Sequence, residues 1–225
     1  MKRLLKKIYY TYLRSYSIKT VHVRGRLSQE EEELILRSKG SSLVEVVEVG
    51  GKKMILEIGF GNGQHLVGLA QRNREAQIYG VELYKAGIVK VLKEIGQKDL
   101  QNLKVLCKDA REVLDSLKEK IVSEMYILFP DPWPKVRHHK RRLLQKDFIK
   151  QCVKILNDDG ALYIATDWEN YAEEIEKSLM ELSGGKYLKY SKLLDSPVAD
   201  KIQETTFAKR AIREGRSITV FKIAK

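Results

Sequence analysis

From Lys52 onward, short apolar runs alternate with amphipathic segments, and no other feature of the chain constrains its fold as strongly. Met54 to Ile58, Gln77 to Val81, Leu103 to Cys107, Met125 to Phe129 and Ala161 to Ala165 are rich in β-branched and aromatic residues and predict strands. Runs apolar at nearly every position must be covered on both faces, and the intervening segments can supply that cover. Residues 63–73, 84–97, 110–120, 142–156 and 169–183 predict helices. Alternation of this kind specifies an α/β fold, a doubly wound and mostly parallel sheet with helices on both faces. Tyr187 to Tyr190 and Ser217 to Ile223 read as two closing strands, for seven in all. Upstream, residues 1–50 read as a basic arm followed by a short acidic helix, Glu30 to Arg37, capped by Ser28. Residues 51–225 form the main unit.

Charge narrows the choice of partner. The chain carries 42 Lys+Arg against 30 Asp+Glu, a formal charge of +12, which favours a polyanion over a small neutral molecule. Residues 1 to 29 hold eight Lys or Arg and no acid, with Tyr9, Tyr10, Tyr12 and Tyr16 interleaved. Cations neutralise phosphates while aromatic rings stack on bases, so this arm suits RNA better than a lipid surface. No stretch approaches the ~20 apolar residues of a membrane span, and the N-terminus lacks the apolar core of a signal peptide. The expected location is the cytoplasm. Cys107 and Cys152 stand alone without metal-ligand spacing, and His138 and His139 lie in a basic run, so no metal is expected.

Candidate chemistry gathers where the strands end. Three of the four prolines fall in Phe129-Pro130-Asp131-Pro132-Trp133-Pro134-Lys135, directly after the fourth strand. Proline restrains its own φ and the conformation of the residue before it, so Asp131 and Trp133 are expected to sit in an extended, nearly rigid loop. Glu57-Ile58-Gly59-Phe60-Gly61-Asn62-Gly63 closes the first strand with a tight turn that lets a ligand approach the backbone. A dinucleotide fingerprint needs its third glycine one residue later, where Gln64 stands, and Glu57 would repel a pyrophosphate. Glu82 ends the second strand, where a carboxylate receives ribose hydroxyls, and Asp109 ends the third, placed for an adenine amine. Such a set suits a cationic nucleoside such as S-adenosylmethionine.

Taken together, the glycine loop, Glu82, Asp109, Pro130-Asp131-Pro132-Trp133-Pro134-Lys135 and the later Thr166-Asp167-Trp168 resemble the bacterial tRNA (guanine-N7-)-methyltransferase family, from about Val23 to the C-terminus. The resemblance implies a Rossmann-like class I methyltransferase fold that moves a methyl group from S-adenosylmethionine to N7 of guanosine 46 in the tRNA variable loop. By the same resemblance, Glu57, Gly59, Gly61, Gly63, Glu82, Asp109 and Asp131 would hold the cofactor, Asp131 would be catalytic, and Lys135 and Asp167 would contact substrate. The family's C-terminal substrate motif, Thr-x-Phe/Tyr-Glu, falls on Thr205-Thr206-Phe207-Ala208, where the glutamate is replaced by alanine. Trp133 and Trp168 could wall the base pocket or be structural.

Two other readings stay open. An amino-group methyltransferase acting on adenine N6 or cytosine N4 would carry Asp/Asn-Pro-Pro-aromatic at this strand end, whereas the order here is Asp-Pro-Trp-Pro. A non-catalytic RNA-binding module on a methyltransferase scaffold would explain the charge but not the carboxylates. The sequence leaves monomer and homodimer equally open.

Overall fold

The computed structural model describes residues 27–117, 120–184, 188–193 and 197–225. The basic arm therefore lies almost wholly outside the described residues. Seven strands form one sheet: β1 (Met54–Ile58), β2 (Gln77–Val81), β3 (Leu103–Leu106), β4 (Val122–Leu128), β5 (Leu156–Thr166), β6 (Lys189–Lys192) and β7 (Thr219–Ala224). Their order is β3-β2-β1-β4-β5-β7-β6. Neighbours from β3 through β5 pair in parallel, and β7 runs antiparallel to both β5 and β6. The connection reverses direction between β1 and β4, and a crevice opens at the carboxyl ends of the strands flanking such a switch point.

All five residues of β1 are buried, and the period-2 alternation of a strand divides them between two layers. Met54, Leu56 and Ile58 join α4 (Ala110–Ser116), α5 (Lys146–Ile155) and α6 (Glu169–Gly184) through Val113, Phe148, Ile149, Tyr171 and Ile175. Ile55 joins the opposite layer, where α1 (Gln29–Ser38), α2 (Gln64–Arg72) and α3 (Lys85–Lys98) contribute Ile35, Leu66, Ile88 and Leu92. Burying each such side chain stabilises the fold by roughly 1.5–3 kcal/mol.

The acidic helix expected after the arm is present as α1. Ser28 and Glu31 close a reciprocal capping box, with Glu31 N donating to Ser28 Oγ at 3.3 Å and Ser28 N to Glu31 Oε2 at 3.0 Å. Beyond it, Leu43 bridges Val105 of β3, and Leu27, Leu34, Ile35, Leu43, Val44 and Val47 pack on the same core as the rest.

Several boundaries differ from expectation. β4 begins at Val122, and β5 reaches back to Leu156 through Asn157-Asp158-Asp159-Gly160, a turn-like composition drawn into the sheet by pairing with β4 across a register shift. Gly160 is required there, because a Cβ would meet the Val122 carbonyl oxygen at 2.8 Å. The helix expected over 142–156 starts later, as α5 at Lys146, and a 3₁₀ turn at Val136–Arg141 that the sequence did not suggest precedes it. The chain breaks between them because Leu144 N donates to Tyr171 Oη of α6 at 2.9 Å. Near the C-terminus, α7 (Pro197–Gln203) and α8 (Thr206–Arg213) occupy a stretch in which the sequence suggested no helix.

Candidate active site

The glycine loop leaves β1 with a left-handed backbone at Gly59, Gly61 and Gly63. Gly63 is the most constrained, since a Cβ there would lie 2.0 Å from Val91 Cγ2 on α3. Across the loop, Gly87 of α3 lets the Gly61 carbonyl approach, for a Cβ on it would stand 1.9 Å from that oxygen. Close helix-to-loop packing thus needs glycine on both sides.

Glu82 completes the turn from the next strand. Its Oε2 accepts from Gly61 N at 2.8 Å, and its Oε1 accepts from Leu83 N at 2.6 Å and Tyr84 N at 3.0 Å. Three fixed donors hold the carboxylate in one orientation, with lone pairs to spare for a ligand hydroxyl. Asp109 serves as N-cap of α4, its Oδ1 accepting from Arg111 N at 2.8 Å, while Oδ2 makes no hydrogen bond to the described residues.

The loop after β4 is not extended as expected. Phe129 has φ +51° and Trp133 φ +45°, and each immediately precedes a proline. Left-handed backbone costs an L-residue on the order of 1–2 kcal/mol, and such strain persists only where surroundings impose it. Two backbone ties impose it here: Phe129 N donates to the Ala165 carbonyl at 2.8 Å, and Arg142 Nε donates to the Pro132 carbonyl at 2.8 Å. Between them Asp131 is exposed and has no hydrogen-bond or ion-pair partner among the described residues. Trp133 is flanked by Arg141, whose guanidinium lies 4.9 Å from the ring centroid, and by His138, edge-on at 5.8 Å.

These elements enclose a cleft of about 390 Å³ lined by Gly59, Gly61, Glu82, Asp109, Asp131 and Trp133, with Tyr84, Lys108, Arg111, Arg141 and Phe207 among its other walls. Glu57 does not reach it. Alternation along β1 turns that side chain toward α2, where it is buried and accepts from His65 Nδ1 at 2.9 Å. It lines a smaller pocket of about 30 Å³, with Gly63, Thr205 and Thr206, that adjoins the cleft through Gly59, Leu128, Phe129 and Phe207. The His65 ring also packs 4.9 Å from that of Tyr126, whose hydroxyl is pushed far above its ordinary pKa by burial and by the nearby Glu124 carboxylate.

The substrate candidates are more dispersed. Lys135 is exposed, and its carbonyl caps the 3₁₀ turn by accepting from His138 N at 2.7 Å. Asp167 lies outside the cleft lining, held by Arg216 Nε at 2.8 Å. Thr205 caps α8, Thr206 donates to Gln64 Oε1 from both N and Oγ1 (3.1 and 2.8 Å), and Phe207 stacks 6.2 Å from Phe129. Ala208 is fully buried and offers a substrate no surface. At that N3 position a glutamate behind an N-cap threonine would close a capping box; alanine keeps only the half in which Ala208 N donates to Thr205 Oγ1 at 3.2 Å. Trp168 likewise corrects the notion of an opposite wall, because it packs on the core beside α6 and does not line the cleft.

Sequence reasoning missed Gln64 and His65, and it read Arg141 and Arg142 only as phosphate-facing cations of the run 136–142. Gln64 stood out only as the residue where a dinucleotide fingerprint fails, and nothing local sets Arg142, which is buried, apart from the phosphate-facing cations beside it. Among the described residues no group of three or more His, Cys, Asp or Glu is placed to hold a metal ion, and no helix is long and apolar enough to cross a membrane.

Residues 51–221 match a protein-family model described as "Putative methyltransferase". A curated tRNA (guanine-N(7)-)-methyltransferase of Legionella pneumophila (strain Paris) is 36% identical over 165 residues, 73% of this chain and 69% of that protein. One of Leifsonia xyli subsp. xyli is 45% identical over 121 residues, 53% of each chain. The chain spans about half the length of most of the curated relatives it matches. Among solved structures, the 16S rRNA methyltransferase KamB superposes with a TM-score of 0.54 at 17% identity, covering 91% of this chain and 96% of that one. An S-adenosylmethionine-dependent O-methyltransferase from Thermotoga maritima gives 0.52 at 15% identity, covering 89% and 67%. At such identities the likeness concerns the fold, which is that of the class I methyltransferases.

Proposed function

The chain belongs to the tRNA (guanine-N(7)-)-methyltransferase family, and from that premise we propose that it methylates N7 of a guanosine in tRNA, guanosine 46 of the variable loop, with S-adenosylmethionine as donor. One observation supports this reading above the others. Three successive strand ends send carboxylates into one cleft, two of them held by backbone donors and the third, Asp131, without a partner among the described residues.

The residues present fit the donor. A cleft of about 390 Å³ suits a nucleoside-sized ligand. Glu82 is oriented to accept from ribose hydroxyls, Asp109 Oδ2 from an adenine amine, and the glycine turn leaves the backbone open to close approach. Of the cations near Asp109, Lys108 pairs with Glu45 at 3.5 Å, while Arg111 lies over the Phe148 ring at 5.5 Å and reaches only Asp109 Oδ1, at 3.9 Å, which leaves Oδ2 open. When bound, S-adenosylmethionine supplies an electrophilic methyl group on a sulfonium centre.

Guanine N7 carries an in-plane lone pair and no proton, so the chain need not supply a strong base. Its task is placement, holding N7 in line with the methyl carbon at about 3–3.5 Å. Asp131 accepts from guanine N1–H and N2–H, orienting the ring, and its charge stabilises the cation that develops there. Trp133, braced by Arg141, presents a stacking face. Exposed Arg137, Lys140, Lys209, Arg210 and Arg213 of the catalytic unit at 51–225 meet phosphates, and the basic arm of residues 1–29 in the segment 1–50 brings eight further cations to the RNA. A tRNA substrate places the chain in the cytoplasm.

The test is incubation with unmodified tRNA and methyl-labelled S-adenosylmethionine, followed by digestion and nucleoside mass spectrometry. Label in 7-methylguanosine at position 46 is the expected result. Label on adenine N6 or cytosine N4, or RNA binding without any transfer, overturns the proposal.

A further inference from the structure

Arg142 lies at the end of a run of cations that solvent or phosphate would ordinarily occupy, yet its side chain is completely buried. Nε donates to the Pro132 carbonyl at 2.8 Å, between Asp131 and Trp133. The guanidinium carbon sits 4.7 Å from the ring centroid of Tyr171, and Nη1 lies 2.6 Å from Glu174 Oε2. Tyr171 and Glu174 are three residues apart on α6 and so project from one face of it. Glu174 is itself steadied by His139 Nδ1 at 3.0 Å. Tyr171 opens α6 by donating its backbone N–H to the Trp168 carbonyl at 3.0 Å, directly after Asp167.

As a stabilising element the arrangement is poor. Nη1, although 2.6 Å from Glu174 Oε2, and Nη2 are both buried without a well-aligned hydrogen bond among the described residues, so the desolvation of the guanidinium is only partly offset. The one bond it makes with good geometry is to the loop that carries Asp131. That loop holds two residues in left-handed backbone, Phe129 and Trp133, and needs an external hold to remain there.

We propose that Arg142 is a positioning residue: a buried strut that fixes the Pro130–Pro134 loop against α6, so that Asp131 and the segment bearing Asp167 keep one relative placement. The inference rests on the role given to Asp131 above. Lysine cannot replace the strut, because a single ammonium cannot present one donor to the carbonyl while lying flat on Tyr171 and reaching Glu174. Methionine fills the space and brings no charge.

The experiment compares Arg142→Met, Arg142→Lys and Asp131→Asn in the full chain, measuring kcat, KM for tRNA, calorimetric affinity for S-adenosylmethionine and melting temperature. In parallel, acrylamide quenching of Trp133 is followed in a Trp168→Phe background. For Arg142→Met the expected result is a kcat lower by about 10²-fold, as for a misplacement of roughly 1 Å. Cofactor affinity should stay within about twofold and Trp133 should become more accessible to quencher, while the melting temperature, lowered because the Pro132 carbonyl loses its donor and Glu174 its cation, should leave the variant folded at the assay temperature. Arg142→Lys should not restore kcat, and it stands in if the methionine variant does not fold. If Asp131→Asn abolishes turnover while the Arg142 variants keep kcat within about threefold of the parent, the strut is refuted. If Asp131→Asn turns over normally, the role of Asp131 is refuted instead, and unchanged quenching of Trp133 in Arg142→Met then decides against the strut on its own.

Discussion

Replacing Asp131 by alanine isolates the group on which the proposed chemistry depends. The side chain is exposed and has no hydrogen-bond or ion-pair partner among the described residues, so its removal breaks nothing in the fold, and surface changes of that kind stay within about 0.5 kcal/mol. It does not cap a helix as Asp109 does, nor gather backbone donors as Glu82 does. Whatever is lost must therefore be lost in contacts with the substrate or with the transition state formed from it. Removing one preorganised electrostatic group from a reacting centre costs about 10²–10³ in rate, or roughly 2.7–4 kcal/mol. Single-turnover methylation of unmodified tRNA with labelled S-adenosylmethionine measures that loss directly, with calorimetric cofactor binding and thermal melting on the same preparation. The expected outcome is a collapse in the transfer rate, cofactor affinity within a few-fold, and an unmoved melting temperature. Transfer within about threefold of the parent would show that the free carboxylate at this strand end does not orient or stabilise the base.

Three further outcomes are expected. Glu82→Ala should weaken S-adenosylmethionine binding by about 1.5–3 kcal/mol, the worth of a hydrogen bond to a charged group, and should also lower the melting temperature because three backbone donors lose their acceptor; calorimetry and melting check both. Gly63→Ala should destabilise the fold by about 2 kcal/mol or more in urea titration, since it combines φ +75° with a methyl 2.0 Å from Val91 Cγ2. His138 is held below its ordinary pKa of 6.5 by partial burial and then by the cations Arg141, Arg137, Lys135 and Lys140. The folded chain therefore binds fewer protons there than the unfolded one, so its stability rises with pH and is reduced as pH falls below about 6.5. In the proposed complex tRNA phosphates would neutralise those cations, so binding should take up a proton, and affinity should rise from pH 7 to pH 5.5 more steeply than in His138→Gln. Calorimetry in buffers of different ionisation enthalpy reads the uptake, and zero uptake refutes it.

What was legible in the sequence was carried by local pattern. Each central strand is apolar at nearly every position because it is covered on both faces, and Gly59, Gly61, Glu82, Asp109 and Asp131 were placed at one rim by the rule that ligands collect at the carboxyl ends of parallel strands. The polar stretch Asn157 to Gly160 was read as a loop because its composition is that of a turn, and only pairing with β4 makes it strand. α7 and α8 are short, and their burial is supplied by distant partners: Thr206 reaches Gln64 across 142 residues of sequence.

The sequence alone was enough to determine the layered α/β architecture, the glycine turn and the acidic rim, because spacing, period and strand-end position are properties of neighbouring residues. Tertiary structure decided which of those acids share the cleft, that Glu57 turns away toward His65, that the proline loop is strained at Phe129 and Trp133, and that Arg142 is buried beneath it. Those outcomes depend on side chains from separate elements meeting across the core, where a contact such as Arg142 with Tyr171 and Glu174 exists only once β5 has delivered α6 against the loop that follows β4.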